Sequence, residues 1–175
     1  MKFLIAVLLL FFVQTQAQFH RTDSLGHFQV VDHQLIWQKW YDLKDKSVLN
    51  TRLKRNRFSE GLDILKFVTS VKTGPQRLQG TNLPEYALHD YEAFLYLDFK
   101  EGRYRVTIKQ IVFPDFVEKI YYNGMRRTDP RGTLEQYILR QDGLIKRNNT
   151  NIRVLDSFDS EFSGIFDAMA ADQME

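Results

Sequence analysis

The chain is expected to fold as an α+β domain: a curved antiparallel sheet with helices packed on one face. Three stretches predict it. Tyr91–Phe113 is rich in aromatic and β-branched residues, alternates at period two and is interrupted by Glu101-Gly102, the pattern of a β-hairpin. His33–Leu43 is a second strand-like run, with Leu35, Trp37 and Tyr41 on one parity and Ile36 and Trp40 on the other. Arg153–Ala170 is an amphipathic helix, carrying Val154, Leu155, Phe158, Phe162, Ile165, Phe166 and Met169 on one stripe and leaving Asp156, Ser157, Asp159, Ser160, Ser163 and Asp167 for solvent.

Residues 1–17 have one early positive charge, Lys2, an apolar run from Phe3 to Val13, and then Thr15-Gln16-Ala17. This is the three-part pattern of a secretory signal peptide, with cleavage expected after Ala17. The rival reading, a membrane anchor, is disfavoured because the run falls short of the ~20 apolar residues a helix needs to span a bilayer. Cleavage would take away Lys2 and no acid, lowering the +2 of the full chain to +1. So small a net charge gives no global case for binding nucleic acid, a membrane surface or a polyanion. The chain has no cysteine, which excludes a disulfide scaffold, a thiolate metal site and a cysteine nucleophile. One domain is expected over residues 32–175, preceded by a polar lead-in, 18–31, that holds His20 and His27.

After the first strand, residues 43–57 change to helical spacing through Val48, Leu49 and Leu53. Asp42 and Asp45 stand ahead and Arg52, Lys54, Arg55 and Arg57 at the end, charges that suit the helix macrodipole without invoking a phosphate site. Residues 62–71 read as a second strand. Gly74-Pro75, Gly80 and Pro84 then mark a loop. In the hairpin, a two-residue loop at Glu101-Gly102 would set Phe99 opposite Tyr104, Leu97 opposite Val106 and Leu95 opposite Ile108, all apolar. A slip of one residue would turn one strand's apolar set outward. The other face would pair Asp98 with Arg105, Tyr96 with Thr107, and Phe94 with Lys109 as a cation–π contact. Apolar parity switches from Val106 and Ile108 to Ile111 and Phe113, predicting a bulge near Lys109-Gln110.

Pro114 is expected to end that strand or to sit at its edge. Residues 117–122 are a short apolar piece, strand or helix, closed by Asn123-Gly124, and Asp129–Gly132 reads as a further turn. Thr133-Leu134-Glu135-Gln136 is a capping box opening a short helix that Gly143 can end.

No GxSxG, P-loop, GxGxxG or HExxH motif is present, and His20, His27, His33 and His89 follow no ligand spacing, so neither metal nor cofactor is expected. Carboxylates such as Asp63 with Glu60, or Asp156 with Asp159, sit on ordinary solvated faces. Asn148-Asn149-Thr150 is a formal glycosylation sequon. The surface of most interest is the outward hairpin face, Phe94, Tyr96, Arg105, Thr107 and Lys109, where aromatics interleave with cations as on a stacking platform for bases or sugars. Cross-strand pairing accounts for the same residues without a ligand.

From Leu97 to Ile108, LDFKEGRYRVTI, with Ile111 following, the hairpin resembles a family of small exported bacterial domains of unknown function with a TATA-binding-protein-like (TBP-like) fold. The likeness lies in a strand, a K-D/E-G-K/R-Y-R turn and a strand. The order strand, helix, strand upstream and the long C-terminal helix are similar as well. The resemblance implies a bacterium of the Bacteroidota type, where signal peptides often end in Ala-Gln as at Ala17-Gln18, and export to periplasm or medium. It implies no catalytic residues, and a TBP-like fold does not entail DNA binding. The expected function is a non-enzymatic binding or structural module of the cell envelope, with an envelope hydrolase of unrecognised site as the alternative.

Overall fold

The computed structural model describes residues 23–122 and 125–171. Its central hairpin closes where the turn chemistry places it. Strands β6 (Asp90–Lys100) and β7 (Arg103–Tyr122) are antiparallel, with Gly102 at φ +65° between them, a conformation glycine adopts without a Cβ clash. The pairs are Phe99 with Tyr104, Leu97 with Val106 and Leu95 with Ile108 on the inner face, and Asp98 with Arg105, Tyr96 with Thr107 and Phe94 with Lys109 on the outer. Past Phe94 the register shifts and Gln110 takes φ +54°, after which Ile111 and Phe113 resume the buried parity. This is the bulge that the switch of apolar parity predicts.

β3 (Gln34–Asp42) lies on the other side of β7 and buries Leu35, Trp37 and Tyr41. Ahead of it, residues expected to be irregular lead-in form β1 (Ser24–Leu25) and β2 (Phe28–Val31), and Phe28 is fully buried. Two facts hid this hairpin. Its alternation spans only Phe28 and Val30, and its two-residue loop is Asp32-His33, both at positive φ, where a glycine would normally signal the turn. The sheet order is β1-β2-β3-β7-β6 and then β4 (Ser70–Lys72), with β5 (Gln76–Arg77) also on β6 and β8 (Met125–Thr133) also on β7.

Helix α1 (Lys46–Arg55) starts at Asp45, whose carboxylate accepts from the Ser47 and Val48 amides at 2.7 and 3.1 Å, and it ends in Arg52, Lys54 and Arg55. The segment after it is not the strand that its apolar residues suggest. Ile64–Lys66 is a 3-10 turn, Phe67 is left-handed at φ 61°, and only β4 (Ser70–Lys72) joins the sheet. The backbone there is satisfied locally: Ile64 N donates to Asn50 Oδ1, and Asp63 and Val68 exchange amide hydrogen bonds.

β7 does not stop at Pro114. Among the described residues no partner is paired between Phe113 and Val117, so the missing proline N–H falls in a break of the ladder, and pairing with β8 then resumes to Tyr122. Asp129–Gly132, expected as a turn, belongs to β8. Among the described residues that strand pairs with β7 alone, so a proline N–H can be absent on its open side. Asn123-Gly124 lies outside the described residues. Helix α2 (Leu134–Ile138) opens with the capping box but ends before Gly143, which at φ +78° shapes the turn between Leu139 and its bridge partner Ile145.

Helix α3 (Asn149–Ala171) closes the inner face of the sheet. Val154, Leu155, Phe158, Phe162, Phe166 and Met169 are buried as the stripe predicts, and Ile165 partly so. Phe162 is the hub, its ring 5.5 Å from those of Trp37, Phe58 and Phe158 and 6.3 Å from that of Tyr91. The result is an antiparallel sheet under helices, an α+β fold.

Candidate binding surface

Alternation sends the even-numbered residues of β3 and β6, and the odd-numbered residues of β7 before the bulge, to the side of the sheet away from α3. Among the described residues no helix lies over that side. All five residues singled out from the sequence, Phe94, Tyr96, Arg105, Thr107 and Lys109, are there. Phe94 and Tyr96 lie with ring centroids 6.4 Å apart and planes 30° from parallel. Lys109 Nζ sits 4.6 Å from the Tyr96 centroid, so its cation–π partner is the diagonal Tyr96 and not the directly opposed Phe94. The reach of lysine explains this, since diagonal neighbours remain within range of long side chains. Arg105 donates to Asp98 Oδ2 from Nε at 3.2 Å and from a terminal nitrogen at 2.8 Å. Thr107 is buried between its neighbours and accepts from Gln38 Nε2 at 3.1 Å.

Sequence reasoning missed the residue that completes this surface. Trp40 is 39% exposed, and the charged groups of Lys100, Arg103 and Arg105 stand 5.4–5.5 Å from its ring. Its outward parity was visible, but its place beside Arg105 depends on β3 pairing with β7, a contact 65 residues apart in sequence that no local signal gives. Farther along, Lys72 and Glu92 pair at 2.6 Å. The face thus offers planar aromatic surface edged by cations, suited to stacking a flat or pyranose ring and holding a negative group beside it.

A second arrangement lies on the flank of α3. Glu161 borders an open groove of about 750 Å³ lined also by Gln79, Asn149, Ile152, Arg153, Asp156, Ser157 and Ser160. Tyr91, fully buried, donates to Glu161 Oε1 at 2.6 Å, and the Gln79 amide approaches Oε2 at 3.4 Å. Burial raises the Glu161 pKa above the usual carboxylate value, against the opposing pull of these two donors. Nearby, Asp159 accepts from Trp37 Nε1 and contacts His27 Nδ1, both at 2.7 Å. It is therefore not left for solvent, as its helix position suggested. An Asp–His pair could orient a base, yet among the described residues no serine or threonine hydroxyl bonds to His27. Asp63 is engaged by Lys54 at 2.7 Å, which holds its carboxyl below the usual range. Among the described residues no three His, Asp or Glu side chains stand where they could hold a metal ion, and no helix is long and apolar enough to cross a membrane.

A crystal structure of a TBP-like protein from Parabacteroides distasonis ATCC 8503 is similar to this chain, with a TM-score of 0.45 and 10% identity over 79% of this chain and 94% of that one. The likeness is loose, and the α+β assignment rests on the strand pairing of this chain itself. No family model matches the chain. No curated protein matches it.

Proposed function

We propose that this chain is an exported, non-enzymatic binding module of the cell envelope, with the open sheet face as its contact surface. The observation that carries the reading is the array of Trp40, Tyr96 and Phe94 edged by Lys100, Arg103, Arg105 and Lys109 on a face that no described helix covers. The pattern of residues 1–17 supports export, and on this reading the mature chain should begin at Gln18, as the free or cyclised residue, when its intact mass is measured from the native host.

The test is binding to isolated envelope fractions by the parent, Tyr96→Ala, Trp40→Ala and Lys109→Glu, with Asp156→Asn on α3 as the control. Loss with the three sheet-face changes and retention in the control is expected. Equal binding by all five proteins would remove the sheet face from consideration.

The groove at Glu161 supports a second reading, an envelope hydrolase in which a partly desolvated carboxyl serves as the proton donor or acceptor. Hydrolysis of envelope polymers by the parent and its abolition in Glu161→Gln would favour it over the binding module.

A further inference from the structure

The turn between α1 and β4 displays apolar side chains that the fold has no use for. Phe67 is 85% exposed, Leu65 50% and Val68 42%. Phe67 is held at φ 61°, a conformation that residues with a bulky side chain rarely adopt. The turn is nevertheless fixed from beneath. Ile64 is buried with its amide on Asn50 Oδ1 at 2.8 Å, and the Asp63–Val68 bridge closes the loop. A rigid base thus presents a strained, solvent-facing apolar tip.

Cations stand around it. Lys46 Nζ is 5.7 Å from the Phe67 ring and 5.1 Å from that of Phe99, and the Lys66 side chain, 3.9 Å from Asp63 Oδ2, is 81% exposed. Phe99 adjoins Lys100, so the tip shares one end of the molecule with the hairpin turn and its Lys100 and Arg103.

We propose that the Leu65–Val68 turn is an interfacial anchor that seats this end of the protein on an anionic lipid surface. Three partly exposed side chains offer roughly 300–400 Å², given 150–250 Å² for a whole aromatic side chain. That is well below the ~800 Å² each partner gives to a stable protein interface, which argues against a second copy of the chain as the occupant. A bilayer needs no complementary shape: apolar side chains enter the acyl boundary while the flanking lysines meet anionic headgroups. The proposal does not depend on the sheet face acting as a ligand surface.

The probe is co-sedimentation of residues 18–175 with phosphatidylglycerol–phosphatidylcholine vesicles, beside pure phosphatidylcholine vesicles. The parent should partition to the anionic vesicles, less so as salt rises. Phe67→Ser and Leu65→Ser should each weaken partition by about tenfold or more, with unchanged thermal melts because neither side chain is buried. Phe67→Trp should keep partition and add blue-shifted emission on the vesicles. Tyr96→Ala, on the sheet face, should bind vesicles like the parent, which separates this proposal from the binding-module reading. No partition by the parent would overturn the anchor, as would equal partition to both vesicle types or by Phe67→Ser. So would a dimer abolished by Phe67→Ser in the absence of lipid.

Discussion

Glu161 shows how one side chain can be read against its surroundings. Its carboxylate is partly withdrawn from water at the edge of α3, held by the Tyr91 hydroxyl and the Gln79 amide, and burial wins over both donors in setting its pKa above the ordinary value. A carboxyl whose pKa is higher folded than unfolded binds more protons in the native state within that interval. Stability should therefore fall as pH rises from the unfolded pKa through the folded one. Glu161→Gln keeps an acceptor for Tyr91 and cannot ionise. It should melt like the parent below that interval and higher than the parent above it. Thermal melts from pH 3 to 8 check this; a parent that loses nothing relative to the variant across the range would mean the carboxylate is well solvated. The same contact was invisible in the sequence. Glu161 and Asp159 lie on the polar side of the helical stripe, and nothing local tells that Tyr91 and Trp37, more than 60 residues earlier, bring their polar atoms there. Large buried aromatics with a polar tip usually find such a partner, as Tyr91 and Trp37 do here, whereas the buried hydroxyls of Tyr86 and Tyr104 have none among the described residues.

At the scale of elements, the hairpin makes opposite demands of its two faces. Leu97 is almost fully buried and faces Val106, whereas Tyr96, one residue away, is half-buried on the open side, where it meets Phe94 and Lys109. Leu97→Ala should cost about 2 to 5 kcal/mol, the range for emptying a buried leucine site. Tyr96→Ala should cost about 1 kcal/mol or less, the scale of a cross-strand pair. Urea melts of both variants beside the parent decide the matter; comparable losses would mean that the outer face is covered. Hairpin register, bulge, α1 with its charged ends, the capping box and α3 were legible because each is specified by residues within one or two turns or by a single alternation. The turn at Asp32-His33, the 3-10 segment at Ile64 and the passage of β7 through Pro114 were not. The first lacks the glycine that would mark its two-residue loop, and in the other two a side-chain hydrogen-bond partner or a gap in the pairing overrides the local preference. The candidate surface divides the same way. Phe94, Tyr96, Arg105 and Lys109 followed from hairpin alternation, while Trp40 joined them only through the β3–β7 pairing.

The whole molecule depends on one long helix meeting one sheet face. β2, β3, β6 and β7 are brought side by side by pairings of very different sequence separation, and their inner side chains share α3 as the opposing wall. Phe162 is where these contributions converge: Phe28 from β2, Trp37 from β3, Tyr91 from β6, Phe58 from the turn after α1 and Phe158 from α3 itself all lie within 6.5 Å, centroid to centroid. Truncating it leaves a void lined by rings that cannot all collapse inward, because each is fixed by its own strand or helix. Phe162→Ala should therefore cost about 3 to 5 kcal/mol, a large share of the 5–15 kcal/mol available to a domain of this size. Ile165→Ala, one turn away but only partly buried, should cost appreciably less. The helix and sheet should also be lost together, since their buried residues share one core. Denaturation followed both by far-ultraviolet circular dichroism and by tryptophan fluorescence, with Trp37 in contact with Phe162, should give coincident transitions in the parent and in Phe162→Ala. A sheet signal that outlasts the fluorescence change would show that the strands hold together without α3, and that the helix is an attached cover and not the second half of the core.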